Sequence, residues 1–470
     1  MVGIRTYGTY VPVYRLTHEE IAKAWRTRAG KGERAVAAKD EDSLTMAVEA
    51  AVDCLGEVDR NITDGLFFAS TTSPFLEKQV ATSISCAADL RRDISTADFS
   101  GSLKAGTSAI LAAMNSVAAG ANNNVLVTIA DCRLGHPGSS MEYGFGDGAV
   151  SFMISNSDVG LQLEGIHSNA DEITDYWRQV DDRYVHAWEE RFVLSEGFMR
   201  VTSEAVNEAF KKFNLTSQDI AKFVTNAPSE RAYWQLAKKL GFNVETQVAP
   251  PMYSSLGNIG AAMGPMQLVS CMETANPGDL FLMANYGNGC DVMLLKATDK
   301  IAEAGGKKGL QTFLSSKKMI SNYQQYALFR EIIPKLKDRM PPIRPPATTL
   351  WRDQNSLMRF YGSKCNQCGH VQYPIHRVCS NCGTIDDYTE IRLSDKIASV
   401  YSCTIDSLGY GAGVTPFWAI ADFEEVRARL EIADAELEEV KVGDSLEMTF
   451  RKLPSENDVP VYGWKARLIR

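Results

Sequence analysis

The sequence lacks a long apolar run. Its hydrophobic segments are short and are interrupted by glycine, asparagine or charge, so none approaches the roughly 20 apolar residues that a membrane-spanning helix needs. The first residues, MVGIRTYGTYVPVYRL, also lack the apolar core of a secretory signal peptide. We therefore expect no association with a membrane and a cytoplasmic location.

The sequence also has fewer basic than acidic residues. The chain has 49 Lys and Arg against 58 Asp and Glu, which gives a net charge of −9. Nucleic-acid-binding proteins usually carry a basic face, so we expect no nucleic-acid partner. A local basic patch can still accept an anionic small molecule within a net-negative chain.

Cysteine is too sparse for a disulfide-stabilised protein, with 10 residues in 470, but four of the ten are clustered. They form two Cys-x-x-Cys pairs, Cys365 with Cys368 and Cys379 with Cys382, and a glycine follows each pair. This spacing predicts a Zn²⁺ site, in which each glycine permits the tight turn that lets both sulfurs face one ion. Four thiolates leave no open coordination position, so the zinc is expected to be structural. The competing interpretations are two disulfides or four unrelated thiols.

The first 300 residues read as α/β, because short apolar runs alternate with helical patterns. Unbroken apolar strands between helices indicate a sheet that is covered on both faces. The predicted strands are 65–70, 124–130, 150–155, 223–225 and 280–285, and the predicted helices include 80–90, 230–240 and 264–274.

The composition changes after residue 299. Helical stretches lead to the proline-rich segment 340–346, which is typical of a stiff linker. Beyond the cysteines, β-like segments predict a small barrel, and the acidic segment 424–440 is expected to be a helical, exposed insertion. The predicted domains are an N-terminal half (1–165), a second half (166–298), a linker (299–350), a zinc ribbon (351–390) and an OB-like barrel (391–470).

Several motifs together resemble a known family. The segments are Gly32–Asp42, Ala105-Gly-Thr-Ser-Ala-Ile110, Phe145-Gly-Asp-Gly-Ala149 and Leu256-Gly-Asn-Ile-Gly260. They resemble 3-hydroxy-3-methylglutaryl-CoA synthases of the ketoacyl synthase III and thiolase superfamily. The resemblance implies a thiolase-like fold of two similar α/β halves, a homodimer and a coenzyme A thioester as substrate. The C-terminal part resembles zinc-ribbon/OB-fold proteins that accompany thiolase-like enzymes, which implies a possible partner thiolase or other acyl-CoA enzyme subunit. The loop at 145–149 lacks the full dinucleotide-binding pattern, so we interpret it as a turn that shapes the fold.

The sequence departs from this family at the positions that carry its chemistry. The family resemblance places Leu103 at the position of the nucleophilic Cys and Asn226 at the position of the active-site His, and no His occurs between His186 and His370. The position of the general-base Glu falls near Thr71 or Thr72. Only Asn258 matches the family pattern.

Three hypotheses follow for the chemistry. In the first, the chain is an acyl-CoA carbon–carbon bond enzyme with altered chemistry, such as a retro-aldol or thiolysis-like cleavage. Tyr286 is then the acid and base, and Asn226, Asn258 and Asn288 are donors to the thioester oxygen. Tyr286 is equally interpreted as a buried structural residue, and each Asn as a turn residue. In the second, a different thiol acts, either Cys132 or Cys290, although a free Cys is more often a small buried hydrophobe. In the third, the chain is a non-catalytic subunit that binds CoA or scaffolds a partner thiolase.

Overall fold

A computed structural model describes residues 1–28, 30–333, 347–405, 416–453 and 461–470, apart from the side chain of Leu437. The described chain separates into two compact units. The larger unit contains residues 1–37, 42–85 and 90–326, and the smaller unit contains residues 38–41, 86–89 and 327–470. The five-domain division predicted above stays a prediction, and the proline-rich segment 340–346 lies outside the described residues.

A nine-stranded mixed sheet forms the centre of the larger unit, in the order β11-β12-β13-β8-β1-β7-β6-β4-β5. Strands β6 and β7 are buried along almost their whole length, because helices cover the sheet. The strands of this unit are β1 Gly3–Tyr10, β2 Tyr14–Thr17, β3 Glu33–Val36, β4 Gly65–Ala69, β5 Ser95–Phe99, β6 Asn124–Cys132, β7 Asp147–Ser155, β8 Leu161–Ala170, β9 Tyr176–Trp177, β10 His186–Ala187, β11 Lys222–Thr225, β12 Leu280–Tyr286, β13 Gly289–Ala297 and β14 Lys318–Met319.

Some helices begin where a side chain caps the first turn. Asp42 and Thr45 form a reciprocal capping box at the start of α2, and the side chain of Ser229 caps α8. The helices of the N-terminal 330 residues are α1 His18–Trp25, α2 Ser43–Leu55, α3 Val80–Ala87, α4 Ala105–Ala118, α5 Ser140–Gly144, α6 Glu190–Phe192, α7 Val201–Phe213, α8 Glu230–Lys239, α9 Met263–Met272, α10 Leu310–Ser315 and α11 Tyr323–Phe329, with a π-helix at Val193–Arg200 between α6 and α7 and 3₁₀ turns at Arg60–Ile62, Ser217–Asp219, Gly260–Ala262 and Ile301–Glu303. No helix in the described part of the chain is long and apolar enough to cross a membrane.

The smaller unit is mostly β. Strands β15 to β17 form a three-stranded sheet around the cysteines, and the remaining strands form a sheet in the order β20-β19-β18-β21-β22. Its elements are α12 Ala347–Arg352, α13 Gln354–Leu357, β15 Tyr361–Cys365, β16 Val371–Gln372, β17 Tyr388–Arg392, β18 Ala398–Ile405, β19 Phe417–Asp422, β20 Arg427–Glu431, a 3₁₀ turn Leu437–Glu439, β21 Ser445–Leu453 and β22 Val461–Leu468. A bridge between Ile432 and Ala466 links the region after β20 to β22. The OB-like barrel stays a prediction.

Two local predictions are wrong. The segment 424–440 is not a helical insertion, because it contains β20, in which Ala428 and Leu430 are buried while Arg427 and Arg429 are exposed. That alternation has the period of a strand. The motif at 145–149 is not only a turn, since β7 begins at Asp147. Gly146 is required there by close packing, because a Cβ on this residue would lie 1.8 Å from the backbone oxygen of Leu256.

Candidate active site and zinc centre

The candidate active site lies where α4 begins beside the turn between β12 and β13. Leu103 is half-buried just before α4. The side-chain Nδ2 of Asn285, near the end of β12, donates to the Leu103 backbone oxygen over 3.2 Å. The Ser102 hydroxyl donates to the backbone oxygen of Gly287 over 2.9 Å. These two bonds hold the start of the helix against the turn.

Asn226 and Asn258 are both buried, and Asn226 contacts this turn. Asn226, directly after β11, accepts from the backbone N–H of Tyr286 over 2.7 Å and donates to its carbonyl over 2.8 Å. Asn258 donates to the carbonyl of Ala227 over 3.2 Å and accepts from Gly260 over 3.0 Å. An amide carries two N–H groups. Each of the two residues therefore uses one side-chain N–H within the described structure and retains a second.

Asn285 is a site residue that the sequence reasoning missed. Its side chain is fully buried, and its Oδ1 atom has no hydrogen-bond partner in the described structure. A Cβ on Gly264 would lie 2.6 Å from that oxygen and 3.8 Å from the Cβ of Asn226. Asn285 is the last residue of the predicted strand 280–285, and nothing in the local pattern marks it, because its partners are supplied by the fold.

The side chains of Tyr286 and Asn288 are hydrogen-bonded away from Asn285. The Tyr286 hydroxyl donates to the Asp175 carboxylate over 2.6 Å, and burial, together with Asp175, raises the pKa of Tyr286 well above its usual value. Asn288 is exposed in the turn with a φ of 51°, and its side chain donates to the carbonyl of Ile173 over 3.2 Å. Both residues anchor the segment that follows β8, rather than joining Asn285 at the start of α4.

The two candidate thiols differ in environment. Cys290 is fully buried, and burial raises the pKa of its thiol, so it is protonated at neutral pH. Cys132 is half-buried at the end of β6, and its backbone N–H donates to the Thr72 hydroxyl over 2.9 Å. Cys132 therefore lies at the same strand end as the loop that the family resemblance places at the general-base position.

Asp131 organises this strand end, although the sequence reasoning did not identify it. Its buried carboxylate accepts hydrogen bonds from the Ser70, Thr71 and Thr72 hydroxyls and from the backbone N–H groups of Thr71 and Ala261. The carboxylate therefore links the loop after β4 to the loop that carries Asn258.

The four predicted zinc ligands converge in the smaller unit. The sulfurs of Cys365, Cys368, Cys379 and Cys382 all lie within 4.8 Å of one another. The Cys365–Cys382 and Cys368–Cys379 sulfur pairs are 3.6 and 3.5 Å apart, close to the roughly 3.8 Å edge of a tetrahedron built on Zn–S bonds of about 2.3 Å. Gly369 and Gly383 follow the pairs with φ of 74° and 76°, in the left-handed region that favours glycine. The four thiolates suit a closed structural Zn²⁺ site, as the sequence predicted.

Comparisons with known proteins agree with both parts of the chain. Residues 210–295 match the C-terminal domain of 3-oxoacyl-[acyl-carrier-protein] synthase III, and residues 359–385 match the ChsH2 rubredoxin-like zinc ribbon domain. A hydroxymethylglutaryl-CoA synthase of Methanocaldococcus jannaschii is 30% identical over 344 residues, which cover 71% of this chain and 99% of the relative. A hydroxymethylglutaryl-CoA synthase of Methanopyrus kandleri is 29% identical over 70% of this chain and 97% of the relative.

Solved structures support the thiolase-like fold. An HMG-CoA synthase complexed with CoA superimposes with a TM-score of 0.65 at 16% identity, covering 73% of this chain and 95% of that chain. The 3-oxoacyl-[acyl-carrier-protein] synthase III of Aquifex aeolicus superimposes with a TM-score of 0.57 at 22% identity, covering 63% of this chain and 100% of that chain. From its similarity to the archaeal synthases over almost their whole length, the chain belongs to the hydroxymethylglutaryl-CoA synthase family.

Proposed function

We propose that this protein acts on an acyl-CoA and makes or breaks a carbon–carbon bond by Claisen- or aldol-type chemistry, or transfers an acyl group, with atypical catalytic residues. Family membership supports a condensing reaction, and the solved relatives include an HMG-CoA synthase complexed with CoA. Within this range, the residues around Leu103 favour an aldol-type reaction.

The observation that carries the proposal is the apolar Leu103, whose backbone oxygen accepts a hydrogen bond from the buried amide of Asn285. A leucine side chain cannot form an acyl-enzyme, so the two-step route through a thioester on α4 is excluded at this position. Stabilisation of an oxyanion needs only donors fixed near the developing charge. Asn226 and Asn258 each retain one N–H group and are proposed to bind the thioester oxygen.

An aldol-type cleavage balances without a covalent intermediate. A base takes the proton of a β-hydroxyl group, the Cα–Cβ electron pair moves into the thioester enolate, and an acid then protonates the enolate carbon. Tyr286 was the sequence's candidate for both proton transfers, but its hydroxyl donates to the buried Asp175, away from Asn285, so this scheme needs a base and an acid other than Tyr286. Cys132 is the proposed nucleophile of the competing scheme, in which an acyl-enzyme does form.

One observation favours a non-catalytic alternative. The amide oxygen and one N–H of Asn226 are hydrogen-bonded to the backbone of Tyr286, which is a structural role. In this alternative, the chain binds a CoA thioester and supports a partner thiolase. The homodimer likewise stays a prediction, which native mass spectrometry would test.

The proposal is tested by incubating the full chain with a panel of acyl-CoAs and 3-hydroxyacyl-CoAs, while following both the intact protein mass and the small-molecule products. Cleavage or condensation products without a protein adduct support the aldol-type scheme. An adduct that is lost in Cys132→Ala supports the nucleophile scheme. Binding without an adduct or product supports the non-catalytic subunit, and no binding of any CoA thioester contradicts the proposal.

Asn258→Ala tests whether the side chain of Asn258 acts as an oxyanion donor. Loss of one oxyanion donor is expected to lower kcat by roughly 100- to 1000-fold. Asn61→Ala is the matched control, because Asn61 is exposed and bonds only Asp59 within the described structure. Equal activity of the two variants would contradict the role proposed for Asn258.

A further inference from the structure

Tyr286 connects the candidate active site to a segment outside it. Its backbone N–H donates to Oδ1 of Asn226 over 2.7 Å, and its carbonyl accepts from Nδ2 of the same side chain over 2.8 Å. Its hydroxyl donates to the buried carboxylate of Asp175 over 2.6 Å. The backbone of Tyr286 therefore contacts an active-site amide, whereas its side chain is anchored in a different part of the same unit.

The two bonds to the backbone of Tyr286 fix the orientation of the Asn226 amide. A backbone N–H can only donate and a carbonyl can only accept, so turning the amide by half a rotation would lose both bonds. The remaining N–H of Asn226 therefore has one direction relative to the turn between β12 and β13. Any displacement of this turn moves that N–H with it.

The turn is held by the segment that follows β8. The side chain of Asn288 donates to the carbonyl of Ile173 over 3.2 Å, and the backbone N–H of Asp171 donates to the carbonyl of Asn288 over 3.4 Å. The bond from Tyr286 to Asp175 is shorter than either, and it ends on a carboxylate that is only 4% exposed. Hydrogen bonds to carboxylates are stronger than those between neutral groups. We therefore regard this bond as the main anchor of the turn.

The π-helix Val193–Arg200 packs against the side chain of Tyr286. The ring of Phe198 meets the ring of Tyr286 edge-on, with centroids 5.9 Å apart. A Cβ on Gly197 would lie 2.7 Å from the hydroxyl oxygen of Tyr286, so a larger residue at this position would displace that hydroxyl. Gly197 therefore lets the helix approach the hydroxyl that is bonded to Asp175. π-Helical turns are rare and frequently occur at functional sites.

We propose that Tyr286 is a positioning residue, which orients Asn226 as an oxyanion donor through its backbone and is itself held by Asp175 and the π-helix. The inference rests on the proposed function, and it assigns Tyr286 a role other than proton transfer. A misplacement of about 1 Å can cost roughly 100-fold in rate. Because an oxyanion donor acts on charge that develops in the transition state, loss of the anchor should affect kcat more than substrate affinity.

A double-mutant cycle on the full chain tests this, with kcat and KM measured on whichever acyl-CoA or 3-hydroxyacyl-CoA the wild type turns over. We expect Tyr286→Phe to lower kcat by roughly 10- to 100-fold and to change KM by less than about twofold. In the Asn226→Ala background, the same change should lower kcat by less than about twofold, because the group that it positions is already absent. Gly197→Ala keeps the hydroxyl but crowds it, and should also lower kcat.

Tyr233→Phe is the matched control, since it removes another buried hydroxyl of the same unit, which donates to the carbonyl of Phe223 over 3.0 Å. It should leave kcat within about twofold of the wild type, because no bond of this hydroxyl involves the turn. An equal loss of kcat in Tyr233→Phe and Tyr286→Phe would mean a general effect of removing a buried hydroxyl, and would overturn the inference.

Three other results would also overturn it. An equal loss of kcat from Tyr286→Phe in the wild-type and Asn226→Ala backgrounds means that Tyr286 does not act through Asn226. An unchanged kcat in Asn226→Ala leaves no donor to position. A higher KM with an unchanged kcat in Tyr286→Phe assigns Tyr286 to substrate binding.

Hydrogen exchange of the free chain separates this inference from the proposed function. If the wild type turns over no acyl-CoA, the proposed function fails. In that case, or if Asn226→Ala is inactive, the inference is decided by exchange at the backbone N–H of position 286 and in the π-helix. Both should exchange faster in Tyr286→Phe than in the wild type or in Tyr233→Phe, because the anchor that holds them together is lost. Unchanged exchange in Tyr286→Phe would overturn the inference.

Discussion

Replacing Asp131 with asparagine tests whether its carboxylate is needed to organise the candidate site. Asp131 is fully buried, and its two oxygens face different backbone donors. Oδ1 accepts from the N–H of Thr71 over 2.7 Å, and Oδ2 accepts from the N–H of Ala261 over 2.8 Å. An asparagine offers one oxygen and one NH₂ group, so either orientation sets the NH₂ against a backbone N–H that cannot reverse. Hydroxyl partners can rotate, but backbone donors cannot.

The expected cost follows from these contacts. One buried backbone donor without an acceptor costs about 1–3 kcal/mol. The other bonds to the side chain lose the contribution of the negative charge, which roughly doubles the strength of a hydrogen bond. We therefore expect Asp131→Asn to lower the free energy of unfolding by about 3 kcal/mol, and the melting temperature by about 6–12 °C.

Thermal and urea unfolding of the purified variant measure this effect, and calorimetry with an acyl-CoA measures its consequence for binding. Because Ala261 lies three residues from Asn258, binding should weaken as well. Asp158→Asn is the matched control, since Asp158 is 57% exposed and its ion pair with Arg5 is expected to contribute less than about 1 kcal/mol. A melting temperature for Asp131→Asn within about 1 °C of the wild type would refute the reasoning, because the site would then accept an amide.

Three further predictions concern the smaller unit. A purified chain should carry one zinc ion by native mass spectrometry, and Cys379→Ser should lose the ion and unfold the ribbon, whereas Cys403→Ser, outside the cluster, should keep both. Arg451→Met should lower the free energy of unfolding of the smaller unit by about 3–5 kcal/mol in urea titrations, because Arg451 is fully buried against the carboxylates of Asp40, Glu41 and Asp434. Burial raises the pKa of Asp40, but Lys465 and Arg451 outweigh it and hold the pKa well below the usual value, so its stabilisation is present above about pH 4 and is lost as the pH falls further. An unchanged urea midpoint in the Arg451 variant, or stability that rises below pH 4, would contradict this account.

Most of the regular structure was predictable from local patterns. The predicted strands at 65–70, 124–130 and 280–285 correspond to β4, β6 and β12, because a buried strand is apolar throughout and turn residues mark its ends. The prediction was wrong at 424–440, where acidic residues suggested an exposed helix. There the alternation of Arg427, Ala428, Arg429 and Leu430 was the decisive local signal, and composition was misleading.

The zinc centre and the candidate active site differ in how much the sequence indicates. All four zinc ligands lie within 18 consecutive residues, and their spacing alone predicts their convergence. The candidate site draws on Leu103, Asn226, Asn258 and Asn285, which are more than 180 residues apart at the extremes. Family resemblance located the first three of these. Asn285 and Asp131 have no local signature, since their importance lies in partners, or in a missing partner, that only the fold supplies.

Two buried arginines, one in each unit, also differ in ways that only the fold reveals. In sequence, Arg133 and Arg451 each follow an apolar strand segment, and nothing local distinguishes them. In the described part of the fold, Arg451 meets three carboxylates, whereas Arg133 meets two aromatic rings and no hydrogen-bond acceptor. A buried cation with its counter-charges in place contributes to the stability of its unit, and removing it exposes those charges to one another. A buried cation without them is a cost to folding. The same residue type is therefore expected to stabilise one unit and to be a cost in the other, so replacing Arg451 with methionine should lower stability far more than replacing Arg133 with methionine, and urea unfolding of the two variants measures the difference.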